Sequence, residues 1–298
     1  MIESIQKISL EFEKNYQAIF NAPKLTQKYL NKRSDEFDQL IIDEFLKRNL
    51  ENDFAIVALG GYGRRELFPS SDIDLSIIQL IKKTKKIDDI KDFVGWLWTL
   101  KVKIGHSVRT VKDIDKITRT DLKEFTSYLS YRIIYCTKNK INDLNQNLEK
   151  ISLNWNKTKF FKAKKLEQLS RYQSFDSTEF SLEPDLKESP GCLRDFQTAL
   201  WVLEHCFEIK KLEDCIKSKL FNKTEIENIK RSYDHIKSLR FILNLNGNSN
   251  RISFENQLLL AKKSKLKSSK KSSAVEKFMK VFFLHASNLS DFNELVFQ

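Results

Sequence analysis

The pattern of apolar and polar positions divides the chain into a front part that mixes strands with helices and a back part that is helical throughout. Helical spacing runs over residues 3–20, through Ile5, Ile8, Leu10 and Phe12, and over 24–49, through Phe37, Leu40, Ile41, Phe45 and Leu46, with Pro23 between them. A short apolar run over 54–59 then predicts a buried strand. A second begins at Ile73 and ends before Lys82 and Lys83. Residues 84–103 return to helical spacing, and 104–111 (IGHSVRTV) alternate as a third strand. Residues 121–135 read as a helix that closes the first domain, with Phe125, Tyr128, Leu129, Ile133 and Ile134 on its apolar side. The Lys- and Asn-rich stretch 138–154 reads as a linker. From Trp155 the pattern predicts helices alone, over 155–174, 192–208, 210–219, 223–246, 254–264 and 272–294. The expected organisation is an α+β domain over 1–137, the linker, and an all-helical domain over 155–298.

Candidate chemistry is concentrated between the first two strands, in FAIVALGGYGRRELFPSSDIDLSIIQL. Side chains two apart on a strand share a face, so Asp72 and Asp74 point together while Ile73 points into the core. Two adjacent carboxylates repel unless a cation lies between them, and a hard divalent ion takes oxygen donors of this kind. Gly60 and Gly61 allow a backbone to approach a phosphate closely, and the amides of the helical turn near Tyr62 face the same anion. Ser71 adds a hydroxyl beside the acids, and Arg64 and Arg65 add positive charge. Together these features describe a nucleoside triphosphate site. A lone Asp-Xaa-Asp is common at solvated strand ends; its spacing from Gly-Gly-Xaa-Gly favours the functional reading.

Composition narrows the class further. With 298 residues, 41% hydrophobic, the chain can bury substantial cores, and only 7 Gly and 4 Pro agree with a helix-rich fold. The net charge of +12 suits acidic partners, although most of the excess is lysine on helical faces. The run Lys262, Lys263, Lys265, Lys267, Lys270 and Lys271 lacks interleaved aromatics, so a nucleic-acid partner is not expected. The four cysteines have no metal-binding spacing, and there is neither a signal peptide nor a membrane-spanning run. The expectation is a cytoplasmic protein with reduced thiols and no membrane association. In the third strand, His106 and Arg109 are candidates to face the site, and no acid precedes Asp113 to serve as a third metal ligand. The segment 182–197 (LEPDLKESPGCLRDFQ) reads equally as a functional loop and as a helix-capping loop with a surface ion pair.

Three phrases in order, GGYGRREL with SDIDL, then IGHSVRT, then LEPDLKESPGCLRDFQTALW, resemble the bacterial PII uridylyltransferases, relatives of the glutamine synthetase adenylyltransferases. The similarity extends over essentially the whole chain. It implies a DNA polymerase β-like nucleotidyltransferase, a small mixed sheet with flanking helices, followed by a helical domain. By the same resemblance Asp72 and Asp74 are the catalytic, Mg²⁺-holding pair. Gly60, Gly61, Arg64 and Ser71 bind the UTP phosphates, and Lys187 and Arg194 approach the nucleotide or the target. The implied reaction moves UMP from UTP to a tyrosine of a PII-type nitrogen regulatory protein and releases pyrophosphate.

The sequence departs from the family pattern at Arg65 and Cys192, both of which stand where the family has glycine. Full-length members continue into an HD phosphohydrolase domain and paired ACT domains. This chain has four His and no His-Asp doublet, so no uridylyl-removing activity is expected of it. A naturally minimal enzyme and a fragment both remain open. The alternatives are a protein adenylyltransferase and a non-catalytic nucleotide-sensing remnant.

Overall fold

A computed structural model describes residues 23–175, 178, 180–247, 249–269 and 272–298; the helix expected over 3–20 lies outside the described residues. These residues form two compact units. The first comprises Tyr29–Leu67 and Ser71–Asn156, the second residues 23–28, Phe68–Ser70 and Lys157–Gln298. Among the described residues no helix is long and apolar enough to cross a membrane, and the four cysteines are free.

The first unit is built on a four-stranded mixed sheet, ordered β3-β2-β1-β4, formed by β1 (Phe54–Ala58), β2 (Ile73–Gln79), β3 (Ile104–Thr110) and β4 (Arg132–Tyr135). Strand β1 pairs antiparallel with β2 and β4, and β2 pairs parallel with β3. The antiparallel β1–β2 connection carries the glycine turn α2 (Gly60–Gly63), and the parallel β2–β3 crossover carries α3 (Ile87–Leu97). All five residues of β1 are buried because helices cover both faces of the sheet. On one face Ile56, Ala58, Leu75 and Ile77 meet Phe37, Ile41 and Phe45 of α1 (Lys24–Lys47) and Phe93 and Leu97 of α3. On the other, Ala55, Val57 and Ile78 meet Ile114 of α4 (Val111–Thr118) and Tyr128 of α5 (Leu122–Leu129).

Two sequence expectations are corrected here. The helix expected over 121–135 ends at Leu129, and Arg132–Tyr135 forms β4 instead. Ile133 and Ile134 fit either period, and pairing with the open edge of β1 decides for the strand. The linker expected over 138–154 contains α6 (Ile141–Ile151), whose Leu144, Leu148 and Ile151 are buried in the second face of the core. Its polar majority lies on the solvent side of an amphipathic helix.

The second unit is helical, with α7 (Lys157–Gln173), α8 (Leu193–Phe207), the single turn α9 (Asp214–Lys217), α10 (Lys223–Gly247), α11 (Phe254–Lys263) and α12 (Ala274–Phe297). Helix α8 is its axis, packed by α7, α10 and α12, with Phe196 stacked on Tyr233 at 3.8 Å. The segment before α8 is pinned by the fully buried Asp195. That carboxylate accepts from Arg171, from the Tyr172 hydroxyl at 2.6 Å and from the Gly191 amide at 2.6 Å. Asp185 closes the turn, accepting from the Lys187 and Glu188 amides at 2.8 Å each. The loop is thus held by a buried ion pair rather than a surface one, and Cys192 at the start of α8 makes no side-chain cap.

Candidate active site

The first unit brings together the two aspartates and the glycine turn. Ile73 is buried, whereas Asp72 and Asp74 on either side of it are exposed. The amide of Leu59 donates to the Asp74 carbonyl at 2.9 Å, which ties the end of β1 to the start of β2. Immediately after Leu59 the chain turns at Gly60 with φ +53, a left-handed conformation that glycine adopts without steric cost. A Cβ at Gly60 would lie 3.6 Å from Asp74 Oδ2, so the turn stands directly over that carboxylate. Gly61 follows, with the space of its missing side chain bounded by the Glu66 carbonyl at 3.6 Å. Ser71 is half-buried one residue before the acids. An all-oxygen pair of exposed carboxylates beside a turn without side chains fits a hard divalent cation. Among the described residues no group of three or more His, Cys, Asp and Glu is gathered for a metal.

The glycine turn is held from behind by a charged triad. The Tyr62 hydroxyl donates to Asp38 Oδ1 at 2.6 Å, and Arg132 grips the same carboxylate with Nη1 at 2.6 Å and Nη2 at 3.0 Å. Nη2 of Arg132 also reaches the Tyr62 carbonyl at 3.4 Å. Burial first, and the Asp38 carboxylate second, push the Tyr62 hydroxyl well above its ordinary pKa, so it remains a donor. Gly63 completes the turn at very close range: a Cβ there would lie 1.8 Å from the Ser130 carbonyl oxygen. Sequence reading overlooked Asp38 and Arg132, because they lie 24 and 70 residues from Tyr62 and neither has a local motif.

The remaining candidates divide. Arg64 is held by the buried Glu66 at 3.0 Å and by the Ser130 hydroxyl at 3.3 Å, which fix its guanidinium. Arg65 has φ +58 and an ion pair with Asp35; the left-handed backbone gives a physical reason for glycine at that position. Cys192, by contrast, is extended with φ −103, and its thiol is fully buried, so that departure carries no backbone cost. His106 pairs with Leu75 in the β2–β3 register, on the opposite face from Asp74, and its ring meets Trp98 at 5.6 Å. Arg109 is on the Asp74 face but is held by Glu124 at 2.7 and 3.3 Å. Asp113 caps α4 through Thr110 and supplies no third ligand. Between these groups, Ser76 and the Tyr128 hydroxyl are 2.7 Å apart, a buried polar layer under the aspartates.

Lys187 and Arg194 belong to the second unit, where both lie against Glu188, at 3.5 and 3.2 Å. Burial, and then Arg194, lower the Lys187 pKa. The Glu188 carboxyl is held below its usual range: burial opposes this, and Arg194, Lys187 and Arg171 together outweigh it.

Residues 159–297 match the family model described as GlnD PII-uridylyltransferase. A bifunctional uridylyltransferase/uridylyl-removing enzyme of Haemophilus influenzae is 33% identical over 271 residues, covering 89% of this chain and 31% of that protein. Its namesake from Pseudoalteromonas translucida is 33% identical over 285 residues, 93% of this chain and 32% of the relative. That of Nitrosococcus oceani is 34% identical over 248 residues, 82% and 28%. The chain thus spans about a third of the length of the curated relatives it matches. The GlnD PII-uridylyltransferase model thus falls on the helical unit, and the similarity to the uridylyltransferase/uridylyl-removing enzymes runs on through the sheet.

Proposed function

We propose that this chain is a metal-dependent nucleotidyltransferase that moves UMP from UTP to a tyrosine hydroxyl of a PII-type regulatory protein, with release of pyrophosphate. The observation that carries the reading is the exposed pair Asp72 and Asp74 under the Gly60 turn, 3.6 Å from Asp74 Oδ2 to the position of a Gly60 Cβ. The hydroxyl oxygen attacks the α-phosphorus, the bond from that phosphorus to the bridging oxygen breaks, and the proton passes to solvent. Asp72 and Asp74 would hold Mg²⁺, which supplies charge neutralisation at the triphosphate and at the departing oxygen. Gly60 and Gly61 bind the phosphates by letting backbone approach them, and Ser71 contributes a hydroxyl donor. Arg64 acts from its ion pair with Glu66, as a fixed donor to the same phosphates. Lys187 and Arg194 are assigned as further nucleotide contacts, because two cations sharing one carboxylate keep charge for an anion.

The test incubates the chain with a PII-type protein, Mg²⁺ and labelled UTP, and with labelled ATP in parallel. Uridylylated product and pyrophosphate are expected from UTP. Asp72→Asn and Asp74→Asn should each reduce transfer by about 100-fold or more, with melting unchanged because both side chains are exposed. Activity within tenfold of the unaltered chain in either variant overturns the assignment. Transfer from ATP alone would make the protein an adenylyltransferase.

A further inference from the structure

The Asp74 carboxylate lies between two glycines. On one side stands the turn at Gly60; on the other, Asp74 is in register with Gly105 across the parallel β2–β3 pair. In-register residues of a parallel pair project to the same face. A Cβ on Gly105 would therefore point at the carboxylate, and it would lie 2.6 Å from Oδ1 and 3.8 Å from Cγ. Ordinary contact begins at 3.4 Å, so a methyl group here requires a retreat of 0.8 Å (3.4 − 2.6).

The carboxylate is the part that would yield. Strand β3 is fixed to β2 over seven register pairs, from Ile73↔Ile104 to Gln79↔Thr110. The backbone of Asp74 is further held by the Leu59 amide. The carboxylate, in contrast, sits on the end of a rotatable side chain. Backbone conformation does not explain the glycine, because the described glycines with positive φ are Gly60 and Gly191. Propensity does not explain it either, since glycine weakens a strand interior and marks close approach there.

We propose that Gly105 is a positioning residue: its missing side chain is the clearance that sets the angle of the Asp74 carboxylate toward metal and triphosphate. The proposal rests on the reading of Asp74 as a metal ligand and adds the residue that orients it. Reacting groups misplaced by about 1 Å lose on the order of 100-fold in rate, so a displacement of this size is visible in the assay.

Gly105→Ala in the full chain tests it, with Gly95→Ala as control. Gly95 is exposed on α3, and a Cβ there meets nothing within 4 Å. Three readouts are taken: thermal melting, Mn²⁺ affinity of the nucleotide-free protein, and Mg²⁺-dependent transfer from UTP. For Gly105→Ala the expected result is melting unchanged or raised, Mn²⁺ affinity weakened by roughly tenfold, and kcat lowered by roughly 30- to 100-fold with the UTP KM within threefold. Gly95→Ala should leave Mn²⁺ affinity and transfer unchanged. Transfer and Mn²⁺ affinity within threefold of the unaltered chain in Gly105→Ala overturn the proposal. So does a lowered melting temperature with Mn²⁺ affinity intact, which marks a purely structural role. Asp74→Asn is measured beside it. If Asp74→Asn is inactive while Gly105→Ala behaves as the parent, only the role of Gly105 fails; if Asp74→Asn is active, the metal-site reading fails with it.

Discussion

Replacing Asp38 by asparagine removes the charge on which the back of the glycine turn depends. Asp38 receives three hydrogen bonds, one from Tyr62 and two from Arg132, at 2.6, 2.6 and 3.0 Å. Asparagine keeps the volume and one acceptor oxygen, yet leaves the Arg132 guanidinium without its counter-charge. Breaking one side of a buried ion pair costs about 3–5 kcal/mol. The side chains here retain 13% and 19% exposure, so solvent screening reduces the loss to about 2–3 kcal/mol. Urea unfolding of the full chain should then shift its midpoint down by about 1 M, for a slope near 2–3 kcal/mol per molar. Tyr62→Phe removes a single bond and should cost about 1 kcal/mol. Because the two changes share one carboxylate, the double variant should lose less than the sum of the single losses. A loss below about 0.5 kcal/mol in Asp38→Asn, or strict additivity in the double variant, would show that the triad does not hold the turn.

Two further outcomes follow from backbone and protonation. Arg65→Gly relieves a left-handed residue, a gain of about 1–2 kcal/mol, against about 0.5–1 kcal/mol for the freedom glycine has when unfolded and a few tenths for the exposed pair with Asp35. A net stabilisation of about 0.5 kcal/mol is expected in urea unfolding, and a loss of 1 kcal/mol or more would refute the account. His235, in α10, has Nε2 sealed and unpartnered, and its ring lies 4.3 Å from that of His285, tilted by 31°. Burial, then the His285 charge, push its pKa down to about 3; burial, then Arg231, lower that of His285. A depressed pKa of this kind leaves stability intact above the ordinary value of about 6.5 and erodes it as pH falls from there toward 3. Between pH 7 and pH 5 the loss should be about 1–2 kcal/mol more in the parent than in His235→Leu, and equal slopes in the two proteins would exclude the pair as the cause.

How much could be read beforehand depended on the range of the signal. Asp72, Ile73 and Asp74 alternate polar and apolar, so their exposed–buried–exposed order was legible from three letters. The glycine turn was legible because Gly60 needs a backbone shape that other residues avoid. Strand β4 was not, since Ile133 and Ile134 suit a helix as well as a strand and only the open edge of β1 decides. Helix α6 was hidden by its lysines and asparagines, which cover the outer side of a narrow apolar stripe. Asp38 and Arg132 reach Tyr62 only once the chain has folded. Gly105 was visible as a glycine inside a strand, a sign of close approach, but what approaches it depends on the register of β2 and β3.

The 1.8 Å between the missing Gly63 side chain and the Ser130 carbonyl means that this bend and the entry to β4 are made for each other. Transplanting the signature loop alone into another scaffold would import half of a fitted joint. A chimaera assembled from two relatives should therefore exchange the loop and the Ser130–Arg132 corner as one cassette, with the crossover points placed outside both.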